Sequence, residues 1–221
     1  MKFRKEVIPF IIASLIAGLI TAAICLMSGI LWPKSLSAGI IIATVFSGYF
    51  LYFFRDPERF PPTDLSLILA AADGVVAQII NIREDKFLKT DTTRVSIFLS
   101  LFNVHVNRAP ISGKSLFLGY FPGKHYFTFK DKSSDFNQHN SILIESLKTR
   151  CLVNQIVGPV CRRVVYWPDH NKSVDLKMGD RIGMMKFGSR LDMYFPAKDI
   201  IMTAKEGDTA IAGETVIGRL R

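Results

Sequence analysis

The 221-residue sequence predicts a mainly β domain of the barrel or sandwich type, preceded by a hairpin of two transmembrane α-helices. Three observations carry this reading. Two long uncharged apolar runs occupy most of residues 1–60, short apolar stretches bounded by Gly, Asp, Asn and Pro fill residues 61–221, and one turn motif occurs twice towards the C-terminal end.

The first run, Val7 to Met27, holds 21 residues without a charge, and the second, Leu36 to Phe54, holds 19. At about 1.5 Å per residue, each spans a hydrocarbon core of roughly 30 Å. A secretory signal has a shorter apolar core and a small-residue cleavage site, and no second run follows it at once. The expectation is therefore an uncleaved anchor at residues 1–60, with helices at about 7–27 and 36–54. Only Ser28 to Ser35 lie between the runs, so both ends of the hairpin fall on one side. Lys2, Arg4, Lys5, Arg55 and Arg59 flank it, against Lys34 alone in the turn, and the positive-inside bias places both ends in the cytoplasm. Trp32, Tyr49 and Tyr52 suit the membrane-water boundary. A buried helical hairpin of a soluble protein is the competing reading, and the run lengths speak against it.

The formal charge is +9. A basic domain tethered to a bilayer meets anionic lipid headgroups, each nearby Lys or Arg contributing about 1 kcal/mol. Nucleic acid is the rival partner for a basic chain, but no recognition motif for it is present and none is expected. Cys25, Cys151 and Cys161 have no metal-ligand spacing, so they read as packing residues in a reducing compartment and no metal is predicted. Nothing in the sequence sets the oligomeric state, and a homo-oligomer stays open.

Arg55-Asp56-Pro57 ends the second helix, because proline restricts the residue before it. Beyond it, strands are expected at Leu67 to Ala71, Val75 to Ile82, Arg94 to Leu101, Ser141 to Ser146, Leu152 to Val157, Arg162 to Trp167, Arg181 to Lys186 and Met193 to Phe195. Val95, Ile97, Leu99 and Leu101 alternate with Ser96, Phe98, Ser100 and Phe102, which reads as a strand buried largely on both faces. Continuing that parity puts His105 on the face of Val95 and Leu101. Between Lys114 and Lys132, aromatic residues from Phe117 to Phe129 interleave with lysines, a pattern that suits a bilayer interface and half-buried strands equally. His125, His139 and His170 lie in polar or aromatic stretches and read as solvated loop residues.

Lys177-Met178-Gly179-Asp180 and Lys205-Glu206-Gly207-Asp208 both place Gly-Asp after a lysine and before a short apolar strand, as repeated turns of a quasi-symmetric sandwich would. The tail Gly207 to Gly218 resembles the hairpins of biotinyl and lipoyl carrier domains. The Met-Lys-Met tip of those carriers is absent, although Met184-Met185-Lys186 keeps a membrane-tethered carrier or adaptor in view as a non-catalytic alternative.

Gly188-Ser189 is on its own a common turn dipeptide. Its setting is not common. The run Gly179 to Pro196, together with Phe53 to Arg59, Ala72-Asp73-Gly74 and His105-Val106-Asn107-Arg108-Ala109-Pro110, resembles the short-form (archaeal-type) phosphatidylserine decarboxylase proenzymes in content and order, over nearly the whole chain.

That resemblance implies a chain that cuts itself between Gly188 and Ser189 into a 1–188 β chain and a 189–221 α chain. Ser189 would become a covalent pyruvoyl group, a pyruvate-derived cofactor whose carbonyl takes the substrate amine as a Schiff base. It also implies a triad of Asp73, His105 and Ser189, in which an imidazole steadied by a carboxylate takes the serine proton. His105 is then the candidate acid for returning a proton to the substrate carbon during turnover. The activity implied is conversion of phosphatidylserine to phosphatidylethanolamine and CO₂ at the cell membrane, with the catalytic domain on the cytoplasmic side. A pyruvoyl decarboxylase of a soluble amino acid is a second enzymatic reading, which leaves the hairpin unexplained.

Overall fold

The computed structural model describes residues 2–128, 132–159 and 164–221. Two compact units divide the chain, one up to Glu58 and one from Arg59 onward.

In the first unit, β1 (Lys2–Phe3) pairs with β2 (Arg55–Asp56), bracketing α1 (Ile8–Met27) and α2 (Trp32–Phe53). Each helix carries proline in its first turn, where its missing N–H has no intrahelical role. The first helix ends at Gly29, with φ +80°. Gly29 N–H bonds to the Leu26 carbonyl and Ile30 N–H to that of Cys25, the paired bonds of a Schellman cap. Trp32, Pro33 and Lys34 thus belong to α2 and not to the turn, so α2 begins before the Leu36 expected from the apolar run. The two helices pack through glycines: a Cβ on Gly18 would fall 2.6 Å from the Gly39 carbonyl oxygen, and one on Gly39 2.5 Å from that of Gly18. Ser14 and Ser35 are buried in the same seam, while Ile12, Leu19, Ile24, Ile40 and Val45 face outward. Both helices are long and apolar enough to cross a membrane.

The second unit is built almost wholly of antiparallel strands: β3 (Leu67–Leu69), β4 (Gly74–Glu84), β5 (Thr90–Leu99), β6 (Val106–Arg108), β7 (Gly113–Phe121), β8 (His139–Glu145), β9 (Arg150–Val157), β10 (Val164–Tyr166), β11 (Val174–Leu176), β12 (Arg181–Met185), β13 (Ser189–Pro196), β14 (Ile200–Met202), β15 (Thr209–Ala210) and β16 (Val216–Leu220). A short helix, α3 (Lys132–Phe136), precedes β8. The main sheet runs β11-β7-β8-β9-β13-β5-β4-β15, and two three-stranded sheets, β10-β12-β6 and β14-β16-β3, complete the layers. The mainly β expectation therefore holds, with each expected strand falling on an observed one within its described part. Arg162, like Cys161, Phe129 and Lys130, lies outside the described residues. The aromatic stretch after Lys114 opens as β7, and Tyr126 and Phe127 follow in an exposed loop.

The repeated turn motif is one structure made twice. In both copies the aspartate N–H bonds back to the lysine carbonyl, at 3.0 Å for Asp180 and 3.2 Å for Asp208, and its carboxylate takes the lysine N–H at 2.7 Å. Gly179 (φ +84°) and Gly207 (φ +93°) supply the backbone that such a turn needs in its third position.

The main sheet has unlike faces. Along β5 and β13, Val95, Ile97, Leu99, Leu191, Met193 and Phe195 enter the apolar core. Their neighbours Arg94, Ser96, Arg190, Asp192 and Tyr194 are also buried, on the opposite face. In register, Gln78, Ser96, Asp192, Asn154 and Ser141 form one row across β4, β5, β13, β9 and β8. Arg190 Nε donates to Asp192 Oδ1 at 3.0 Å, and Arg94 and Arg190 both donate to Gln78 Oε1, at 2.8 and 3.1 Å. Period-2 alternation thus separates an apolar layer from a buried ionic one.

Candidate active site

Residues Lys186 to Gly188 carry the chain from β12 in one layer to β13 at the centre of the next. The reversal uses two successive left-handed residues, Phe187 at φ +61° and Gly188 at φ +66°. Glycine adopts this freely, but a bulky side chain pays roughly 1–2 kcal/mol, so the phenylalanine is held there by its surroundings. The strained turn presents the Gly188–Ser189 peptide at the mouth of a strand whose first residue is already fully buried.

Ser189 stands opposite Leu99 of β5 on one side and Val157 of β9 on the other. Its Oγ is buried and has no hydrogen-bond partner among the described residues. Beside it, Gly158 leaves a gap: a Cβ there would lie 3.0 Å from the Gly188 carbonyl oxygen and 3.1 Å from Thr128 Cγ2. The bond at 188–189 thus has room at its carbonyl and a buried hydroxyl at its nitrogen end. A serine so placed can add to the preceding carbonyl.

His105 is fully buried as expected, though by a different route. β5 ends at Leu99, and a turn at Ser100 to Asn103 breaks the parity that was to carry the strand on to Leu101, which is 42% exposed. The Asn103 side chain holds this turn by accepting from Ser100 N–H and Oγ, at 2.8 and 2.7 Å. His105 Nδ1 then sits 2.9 Å from the Asn103 carbonyl oxygen. Its own carbonyl accepts from Met185 N–H at 3.2 Å, four residues before Ser189, so histidine and serine are brought to the same end of the layers.

Asp73 approaches from the other side of β6. Arg108 N–H bonds to the Ala71 carbonyl and Leu69 N–H to the Pro110 carbonyl, and the chain then bends so that Asp73 precedes β4, whose Val75 pairs with Phe98 near the end of β5. The Asp73 carboxylate accepts from Arg59 Nη2 and from Ala212 N–H, each at 2.8 Å. Gly74, at φ +158°, follows without a side chain because a Cβ there would strike the Phe98 carbonyl oxygen at 2.1 Å. The structure therefore gathers Asp73, His105, Gly188 and Ser189 around the end of β5.

Several neighbours were not singled out as site residues in the sequence. Asn137 accepts from Tyr126 N–H and donates to the carbonyls of Tyr126 and Val157, at 2.9, 2.7 and 2.8 Å, tying the loop before α3 to the strand beside Ser189. Asn107, Gln155 and Asn140, all buried, line the core side of the sheet near the serine. Asn107 had a local signal through its place in the run from His105 to Pro110, and Asn137 and Asn140 a weaker one through the Asn-rich run from Phe136 to Asn140. His139 is not a solvated loop residue: it lies in β8, stacked on Phe121 with ring centroids 5.2 Å apart, and burial lowers its pKa. His170 rests its ring against Phe117, centroids 4.5 Å apart. Among the described residues, no group of His, Cys, Asp or Glu is arranged to hold a metal ion.

A family model described as phosphatidylserine decarboxylase matches residues 46–218. The chain is 42% identical over 208 residues to the phosphatidylserine decarboxylase proenzyme of Chlorobium phaeobacteroides, covering 93% of each. It is 38% identical over 207 residues to that of Geotalea uraniireducens, covering 93% of this chain and 92% of the relative. With that of Rickettsia akari it shares 41% over 180 residues, covering 80% and 77%. No solved structure matches the chain.

Proposed function

Because the chain belongs to the phosphatidylserine decarboxylase family, we infer that it is made as a proenzyme, cuts itself before Ser189 and decarboxylates phosphatidylserine. Within the family its motifs fit the short form. The observation that carries the reading is the buried Ser189 Oγ beside an uncrowded Gly188 carbonyl, at the end of a strained turn.

Self-cleavage needs only groups on this chain and one water. His105 takes the Ser189 proton, Oγ adds to the Gly188 carbonyl, and expulsion of the Ser189 nitrogen turns the amide into an ester. Loss of the Ser189 α-proton then breaks the Cβ–Oγ bond. Gly188 leaves as a free carboxylic acid, and residue 189 becomes a dehydroalanine with an amino group. Water replaces that nitrogen, releasing ammonia and leaving a pyruvoyl group on chain 189–221. Asp73 serves as the carboxylate of the triad through its charge, favouring the imidazolium that forms, since the Nδ1 proton of His105 is already held by the Asn103 carbonyl.

The site fits such a group, since residue 189 sits in a dry layer among polar side chains and its carbonyl would face the same neighbours. Once formed, the pyruvoyl group supplies the electron sink for the pair left behind as CO₂ departs. His105 then returns a proton to the substrate α-carbon, and buried surroundings keep water from competing for it. Phosphatidylethanolamine is the product.

The two apolar helices associate the protein with a membrane. By the charges flanking them, the catalytic unit stands on the cytoplasmic side of the cell membrane, where its excess of cations meets anionic lipids. Intact mass tests the reading directly: wild type should give chains of 188 and 33 residues, and Ser189→Ala a single chain of 221. A small fragment from the alanine variant would overturn self-cleavage at this serine.

A further inference from the structure

We propose that Asn107 binds the carboxylate of the serine headgroup and is aimed at it by a relay of buried amides. Asn140 Nδ2 donates to Gln155 Oε1 at 3.5 Å, and Gln155 Nε2 donates to Asn107 Oδ1 at 2.7 Å. Each amide passes its polarity to the next, so the chain ends on the amino group of Asn107. That side chain is fully buried, and its Nδ2 has no hydrogen-bond partner among the described residues. A dry N–H₂ left unsatisfied costs free energy, and its presence marks a place where an acceptor binds.

The position suits the substrate. Asn107 lies two residues after His105 on the same side of the chain. Gln155 stands opposite Leu191, on the same sheet face as Ser189 and two pairs from it, a separation of roughly 7 Å along the strand. An acceptor between Asn107 and residue 189 is therefore within reach of both the amide and the reacting centre.

Chemistry selects the carboxylate over the phosphodiester. The group that leaves as CO₂ must give up its negative charge in the transition state, so a cation holding it would stabilise the ground state and slow the step. A neutral amide orients it with a weaker grip. The buried cations are engaged elsewhere: Arg190 and Arg94 lie on the opposite face of the sheet, bonded to Asp192 and Gln78, and Arg108 donates to the Gly179 carbonyl at 2.9 Å. Asn107 is thus a catalytic residue that touches substrate, and Gln155 and Asn140 are positioning residues.

This proposal rests on the decarboxylase reading, and the test separates the two. Binding of short-chain phosphatidylserine and phosphatidylethanolamine, which share the phosphate and differ in the carboxylate, is measured on the uncut Ser189→Ala chain. Asn107→Asp should weaken phosphatidylserine about tenfold or more, the scale of a lost hydrogen bond to a charged group, and leave phosphatidylethanolamine within twofold. Gln155→Leu should act in the same direction. In cleaved enzyme, Asn107→Leu should raise KM for phosphatidylserine about tenfold without changing inhibition by phosphatidylethanolamine. Equal loss for both lipids, no preference between them in the parent chain, or tighter phosphatidylserine binding by Asn107→Asp would each overturn the assignment. Failure of cleaved wild-type enzyme to release CO₂ from phosphatidylserine would instead overturn the decarboxylase reading.

Discussion

His105 Nδ1 lies 2.9 Å from the main-chain carbonyl oxygen of Asn103. A carbonyl only accepts, so Nδ1 holds the proton in the neutral ring and Nε2 carries the lone pair a base needs. The orientation depends on the Ser100–Asn103 turn, which the Asn103 side chain closes. Asn103→Ala should therefore slow self-cleavage about tenfold with the imidazole still present, read as the half-time of the uncut band. His105→Ala should leave the uncut chain to accumulate.

Gly158→Ala should hinder cleavage without unfolding the domain. Its methyl would press on the Gly188 carbonyl oxygen and Thr128 Cγ2, at 3.0 and 3.1 Å, when that carbonyl must become tetrahedral. Overpacking of this kind costs about 1–3 kcal/mol, and a rate loss of at least ~10-fold is expected if most of it falls on the reacting geometry. Normal cleavage with a normal melting temperature would show the space to be unnecessary.

The buried ionic row predicts an asymmetric response. Asp192→Leu leaves Arg190 and Arg94 facing each other across Gln78 and should cost about 3–5 kcal/mol. Adding Arg190→Met should restore much of that. Denaturant unfolding of the uncut Ser189→Ala chain, which remains one molecule, measures both.

Stability should fall between pH 7 and pH 5 through His139. Burial disfavours its charged form and lowers its pKa, against a smaller opposite effect of the Asn137 carbonyl. The unfolded chain then binds more protons than the folded one once pH drops below about 6.5, so stability is fully present above that value and is lost below it. His139→Phe should flatten this part of the profile, as seen in melting temperature against pH.

Removing residues 1–54 should leave self-cleavage intact, because the chain from Arg59 onward is a compact unit of its own. Turnover of phosphatidylserine in vesicles should drop and become salt-sensitive, since a basic surface binds reversibly where two spanning helices do not. Undiminished turnover at high salt would show the hairpin to be dispensable.

What could be read in the sequence was whatever is local. The apolar runs, the turn made twice around Gly179 and Gly207, and the Gly188–Ser189 pair each declare themselves within a few residues. The polar face was hidden by the same rule that found the strands: Phe98 and Phe102 made the residues alternating with Val95 and Leu99 look like a second apolar face, so Arg94 and Ser96 drew no notice. Arg190, Asp192 and Tyr194, alternating with Leu191 and Met193, held the signal that could have exposed it. The contact of Asn107 with Gln155 crosses 48 positions and two sheets, and no spacing announces it. The left-handed Phe187 is equally unreadable, because its conformation is imposed by the layers it joins.

The strand that opens at Ser189 has a consequence for the life of the molecule. It lies between β5, paired from Ser189 to Pro196, and β9, paired from Ser189 to Tyr194, while β15 and β16 of the same C-terminal piece pair with β4 and β3. Once the proposed cut is made, the 33-residue fragment stays woven into the main sheet of the other fragment and shares a second sheet with its β3. Assembly therefore happens as a single chain and can happen that way only once. Fragments parted by heat or denaturant must find each other by diffusion, so recovery becomes concentration-dependent and competes with aggregation. The working lifetime of the mature form is then set by how slowly its sheets come apart and not by an equilibrium between folded and unfolded states.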